Sequence, residues 1–137
     1  MSVDKAFVDT NLFVYLYSDK DIFKKELVRK EINNFKRFIS TQVLNEFCNV
    51  CTKKLKLPLI TIYKAIIEIR SFCEILIIDH LTVMAALRFH EKYKYSYYDC
   101  LMIASALETD CKYLLSEDLA DGQEIEGRLT IKNIFKK

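Results

Sequence analysis

The run Val3-Asp4-Lys5-Ala6-Phe7-Val8-Asp9-Thr10-Asn11 constrains the fold more than any other stretch of the chain. Ala6, Phe7 and Val8 are apolar without a polar break, the pattern of a strand covered on both faces. A helix-like apolar run, Leu12-Phe13-Val14-Tyr15-Leu16-Tyr17, follows at once. Asp9, Thr10 and Asn11 therefore fall where a buried strand hands over to a helix, and open α/β sheets bind their ligands at such strand ends. What Asp9 faces decides how the remaining residues are to be read.

The pattern of the chain predicts strands alternating with helices. Helices are expected over residues 11–17 and 22–33, separated by the polar turn Ser18-Asp19-Lys20-Asp21, with a second short strand over 35–40. Ser40 or Thr41 caps a helix that runs to about residue 55. Pro58 opens a helix over 59–72, and residues 74–79 form a third strand apolar enough to be buried on both faces. Helices over 81–93 and 97–109 follow, then strands over 112–116 and 128–131. Such alternation implies a layered α/β domain with a parallel sheet of four to five strands and right-handed crossovers.

A chain of 137 residues is expected to form one domain, spanning 1–137. The only glycines are Gly122 and Gly127, which excludes the glycine-rich phosphate cradles of P-loop and dinucleotide-binding proteins. No apolar run approaches the roughly 20 residues of a membrane span, so no membrane contact is expected. Asp4 interrupts any basic-then-apolar leader, and five cysteines, an odd number in no tight framework, fit a reducing cytoplasm. The net charge of +2 neither requires nor excludes a nucleic acid partner.

Acids recur at telling places. On the helix from about Thr41, Asn45, Asn49, Thr52 and Lys53 share one stripe, Val43, Leu44, Phe47, Cys48 and Cys51 the opposite one, and Glu46 falls at the seam. Glu46 alone reads as a half-exposed surface residue. Asp99 is flanked by Met102, Ile103, Ala106 and Leu107, with Ser105, Glu108 and Thr109 marking the wet side of its helix. A carboxylate on that apolar side needs a partner or a metal, unless Ser96-Tyr97-Tyr98-Asp99 is a capping box; the two readings are compatible. Asp118 repeats the pattern of Asp9, an acid just past a buried strand. If those two strands are neighbours, their ends lie about 4.8 Å apart. Asp118 and Asp121 also suit a turn before Gly122. Asp79 is set aside, because its strand belongs at a sheet edge and it can cap the following helix. Carboxylates held close share protons or metal ions, and oxygen ligands without paired His or Cys select Mg²⁺ or Mn²⁺.

Four segments together resemble the PIN-domain ribonucleases: Phe7-Val8-Asp9-Thr10-Asn11-Leu12, Ser40-Thr41-Gln42-Val43-Leu44-Asn45-Glu46-Phe47, Tyr98 to Ala106, and Leu114-Leu115-Ser116-Glu117-Asp118. The size is similar to that of the VapC toxins of toxin–antitoxin pairs. The resemblance implies a three-layer α/β/α sandwich and Mg²⁺- or Mn²⁺-dependent cleavage of RNA. It implies Asp9 and Asp99 as the main metal carboxylates, with Glu46 and Asp118 completing the set. Asn11 and Ser116 match positions that orient these acids or a water, and Asp121 is an outlying group of the site. An antitoxin protein and a homodimer are the partners it implies.

Lys24, Lys25, Arg29, Lys30, Arg37, Lys53, Lys54, Lys56, Lys92 and Lys94 are candidates for a positive rim, or for ordinary solvated helix faces. Tyr93, Tyr95, Tyr97 and Tyr98 suit either base stacking or packing. Cys48 and Cys51 form a C-x₂-C without the second pair that structural zinc requires. The helices over 12–17 and 59–72 carry more apolar surface than a small core absorbs, surplus that a second copy or an antitoxin would cover. Two enzymatic rivals are weaker. A phosphotransfer receiver needs paired acids after its first strand, and a dehalogenase-type phosphatase needs Asp where this chain has Asn11. A PIN-like domain that binds RNA or protein without cutting is the third.

Overall fold

The computed structural model describes residues 3–136. In chain order its elements are β1 (Lys5–Val8), α1 (Thr10–Leu16), α2 (Ile22–Ile32), β2 (Lys36–Ser40), α3 (Thr41–Lys53) and α4 (Leu59–Phe72). The second half supplies β3 (Glu74–Leu76), α5 (His80–Tyr93), α6 (Tyr97–Glu108), β4 (Tyr113–Leu115), β5 (Glu124–Ile125) and β6 (Leu129–Lys132). The strands form one sheet in the order β3-β2-β1-β4-β6-β5.

β1 lies inside the sheet because Ala6, Phe7 and Val8 have no face to show to water, and all three are fully buried. It pairs in parallel with β2 and with β4, Val8 standing beside Leu115. From β1 the chain steps outward through β2 to β3, then returns across β1 to β4. Right-handed crossovers therefore place α1–α4 on one face and α5–α6 on the other. The packing agrees: α1 contacts α2 and α3, α3 contacts α4, and α5 lies along α6. Both faces feed one core, whose fully buried members include Phe7, Phe13, Phe47, Ile103 and Leu114.

Several expectations need correction. The sheet has six strands, and its last is antiparallel, because β5 and β6 form a hairpin. Glu126 and Gly127 both take left-handed backbone there (φ 55° and 66°), and Arg128 N–H donates to the Ile125 carbonyl at 3.1 Å. Glutamate is an unusual choice for such a turn, and α5 supplies the reason it is tolerated. The Tyr93 hydroxyl accepts from Glu126 N–H at 3.0 Å, and Tyr93 and Lys92 both donate to the Glu126 carboxylate at 2.6 Å.

The third strand is shorter than expected and is not buried on both faces. It stands at the sheet edge, and Ile77 beyond it is 77% exposed. Ser40 occupies the cap position of α3, yet its hydroxyl makes no capping bond. Ser105 is not on a wet side. It is fully buried and donates to the Leu101 carbonyl at 2.8 Å, because α6 is enclosed from Cys100 to Leu107 between the sheet and α5.

The apolar surplus is settled unequally. The first helix gives Leu12 and Phe13 wholly to the core, whereas α4 leaves Leu59, Ile60, Tyr63 and Ile67 exposed and α5 leaves Leu81, Met84 and Leu87 exposed. Cys51 is buried and Cys48 packs on the same core, and burial pushes both thiols up. All five cysteines are free. Among the described residues no helix is long and apolar enough to cross a membrane.

Phe7 is the largest side chain on β1 and touches water nowhere. Phe7→Ala is expected to lower unfolding free energy by about 3–5 kcal/mol, read as a drop in the urea midpoint at unchanged slope.

Candidate active site

The parallel pairing of β1 with β4 delivers two chain segments to the same end of the sheet. Asp9 N–H closes the ladder by donating to the Leu115 carbonyl at 3.0 Å. One residue on, the buried Ser116 hydroxyl donates to Asp9 Oδ2 at 2.9 Å. Adjacent strand ends thus bring the first acid against the fourth strand, the arrangement on which any meeting of Asp9 and Asp118 depends.

Two helices complete the wall. Glu46 lies between the first and second turns of α3, half-buried as its seam position requires. Thr10 Oγ1 donates to Glu46 Oε1 at 2.6 Å, and Gln42 Nε2 approaches Glu46 Oε2 at 3.3 Å while also donating to the Tyr98 carbonyl at 3.0 Å. Asp99 stands in the first turn of α6. Ser96 Oγ caps that helix by accepting from Asp99 N–H at 3.2 Å. The capping box is only half closed, since among the described residues the Asp99 carboxylate accepts no hydrogen bond. Asp118, exposed after β4, accepts from Asn11 Nδ2 at 3.1 Å.

Asp9, Glu46, Asp99 and Asp118 line one open cleft of about 280 Å³, together with Thr10, Asn11, Asn49, Val50 and Met102. Among the described residues no lysine or arginine lines it. Burial first, then the like charges of Glu46 and Asp118, raise the Asp9 carboxyl to about 6, against the lowering effect of the Ser116 hydroxyl and the Thr10 amide. The donor set is one of hard oxygens, suited to Mg²⁺ or Mn²⁺. The acids face a shared hollow without closing on a point: among the described residues no three His, Cys, Asp or Glu side chains are grouped tightly enough to hold one ion.

Other candidates fall elsewhere. Asp121 does not line the cleft; its Oδ1 accepts from Asn133 N–H at 2.8 Å and ties the loop to the chain end. Asp79 caps α5, accepting from Leu81 and Thr82 N–H at 3.0 and 3.2 Å. Tyr95 is structural: its hydroxyl accepts from Ala120 N–H at 3.1 Å and donates to Gln123. Of the proposed rim, Lys24 is held by Glu117 and Tyr15, Lys25 by Asp19, Lys92 by Glu126, and Arg37 by the Ile32, Phe35 and Phe72 carbonyls. Thr10 and Gln42 are the positions that sequence reasoning missed. Gln42 lies four residues before Glu46 on the same helix, a spacing that places the two side by side.

The family model of the PIN domain matches residues 6–120. No curated protein matches the sequence. Among solved structures, a toxin–antitoxin complex from Klebsiella pneumoniae contains a chain similar at TM-score 0.71 and 18% identity, covering 97% of this chain and 100% of that one. VapC20 of Mycobacterium tuberculosis, described as a toxin that cleaves the sarcin–ricin loop, is similar at TM-score 0.68 and 16% identity, covering 83% and 92%. VapBC2 of Rickettsia felis, bound to a promoter DNA fragment, follows at TM-score 0.58 and 18% identity, covering 82% and 87%.

Asp9 has a predictable stability signature. Its folded pKa, about 6, lies above its ordinary 3.8, so the native state favours the protonated form. Any stability it contributes is present below 3.8 and lost as pH rises through 6. In metal-free protein, Asp9→Asn is expected to raise unfolding free energy at pH 8 by about 1–3 kcal/mol, a gain that shrinks as the pH falls towards 4 in a series of thermal melts.

Proposed function

Because the chain belongs to the PIN-domain family, we propose that it is a metal-dependent endoribonuclease that hydrolyses RNA phosphodiester bonds, the toxin of a VapBC-type pair acting in the cytoplasm. The observation that carries this reading is a cleft walled by four carboxylates from separate parts of the fold and, among the described residues, by no cation. Such a hollow repels a phosphate until a cation enters. Asp9, Glu46, Asp99 and Asp118 are the residues that would hold Mg²⁺ or Mn²⁺. The raised pKa of Asp9 supports this, since burial first, and then the like charges of Glu46 and Asp118, disfavour a carboxylate that a bound dication would stabilise. The ion supplies polarisation of the phosphoryl group and activation of water.

The chain's own side chains have distinct tasks in this reading. Ser116 fixes the Asp9 carboxylate, and Asn11 fixes that of Asp118. Thr10 and Gln42 occupy one oxygen each of Glu46 and so set the angle at which it orients a water. Asp99, whose carboxylate accepts no hydrogen bond among the described residues, is the acid most able to turn towards an incoming ion. The products are a 5′-phosphate and a 3′-hydroxyl.

Free thiols throughout the chain suit a reducing cytoplasm. A toxin–antitoxin complex among the structural neighbours supports a protein antitoxin. The exposed apolar faces of α4 and α5 offer surface for it and for a second copy of the chain. Sedimentation near twice 16.2 kDa supports the homodimer, and sedimentation at 16.2 kDa removes it.

One rival is favoured by a specific observation. The acids are not grouped about a single ion position, as befits a PIN-like domain that binds RNA without cutting it. End-labelled RNA separates the two. Cleavage is expected in Mg²⁺, none in EDTA, and a loss of roughly 100-fold or more in Asp9→Asn or Asp99→Asn. Cleavage that persists in EDTA and in Asp9→Asn overturns the metal-dependent reading, and binding without cleavage in Mg²⁺ establishes the rival.

A further inference from the structure

An RNA strand laid in the acidic cleft must be held by its flanks, and the two flanks differ. On one side a hollow of about 290 Å³ shares Asn11 and Val50 with the cleft and is lined by Lys20 and Lys54. Neither lysine forms an ion pair among the described residues, unlike Lys24, Lys25 and Lys92. The acid in that hollow, Asp21, is engaged as the cap of α2, accepting from Lys24 N–H at 3.0 Å. Two ammonium groups thus face one carboxylate, a positive balance beside a cleft that is wholly negative.

On the other side a hollow shares Glu46 and Asn49 with the cleft and, among the described residues, is lined by no cation. Its prominent members are Ile78, Leu101 and Tyr98, the last 63% exposed with its backbone carbonyl held by Gln42. The Tyr98 ring packs edge-on with Tyr97, ring centroids 5.4 Å apart, and remains largely exposed. An exposed aromatic face takes the flat face of an unpaired base, whereas two neighbouring lysines take backbone phosphate.

We propose that Lys20 and Lys54 form a phosphate subsite that grips the RNA backbone next to the scissile linkage, so that a single strand lies across the cleft between them and Tyr98. The lysine flank holds phosphate and the Tyr98 flank holds a base. This rests on the ribonuclease reading and adds to it the residues that position the substrate. They act before and beside the chemistry: their loss weakens binding and leaves the acids untouched.

Fluorescence anisotropy tests it with a labelled single-stranded oligoribonucleotide, in Mg²⁺ and in a non-cutting Asp99→Asn background. Lys20→Gln/Lys54→Gln is expected to weaken binding about tenfold and to reduce the slope of log affinity against log salt by about 0.7, one phosphate's share for a single strand. Lys20→Arg/Lys54→Arg retains both values. Lys64→Gln/Arg70→Gln on α4, an equal charge change outside the three hollows, leaves both unchanged. In the cutting protein the glutamine pair raises KM about tenfold with kcat within about twofold.

An unchanged salt slope, or an equal loss in the α4 control, overturns the subsite, and wild-type cleavage in Mg²⁺ then leaves the ribonuclease reading standing. Duplex RNA bound as tightly as the single strand overturns the contact of an unpaired base with Tyr98. A wild-type chain that neither binds nor cuts RNA overturns both proposals together.

Discussion

The parallel pairing of β1 between β2 and β4 is the constraint from which the remaining geometry follows. All three strands run the same way, so the segments leaving them emerge at one end of the sheet. Register fixes the detail: Val8 beside Leu115 puts Asp9 beside Ser116, and the 2.9 Å bond between them ties the first acid to the fourth strand. A slip of one residue would turn every side chain of β1 to the opposite face and carry Asp9 out of the cleft. The helices inherit their positions from this arrangement. Glu46 arrives through the helix that follows β2, Asp99 through the helix that precedes β4.

The cleft is furnished so that negative charge is positioned without being cancelled. Three of its four acids are held by neutral donors: Ser116 for Asp9, Thr10 and Gln42 for Glu46, Asn11 for Asp118. A lysine in any of these places would cancel the charge of the acid it touched. Glu117, next to Asp118, shows the contrast. Its carboxylate is turned away and neutralised by Lys24 with Tyr15 alongside. Neighbouring residues on one loop thus take opposite roles, one settled in an ion pair and one left uncompensated. Local sites that break the rules of stability are where function is to be sought.

The elements that could be read from the sequence were those with strong internal signals. The unbroken apolar run of β1 announced a central strand, and Pro58 marked the start of α4, found over Leu59–Phe72 as expected. The acids after β1 and β4 could be recognised as a pattern, but their meeting depended on strand order, which no local signal carries. Two carboxylates three residues apart, Asp118 and Asp121, look alike in sequence, yet only the first lines the cleft because the loop turns the second towards Asn133. The β5–β6 hairpin was illegible for a different reason. Its two-residue strand and its glutamate at positive φ are sustained by Tyr93 and Lys92, some thirty residues away. Ser105 misled because a polar side chain that bonds its own helix can sit in an apolar layer.

The bond between Asp9 and Ser116 spans 107 residues of chain. During synthesis, the segment bearing the first acid leaves the ribosome long before the strand that fixes it. Until β4 has emerged and paired with β1, the growing polypeptide has no cleft and its acids are scattered along an unfinished sheet. Assembly of the cleft is therefore a late event, coupled to completion of the fold, and a chain truncated before β4 lacks the cleft altogether.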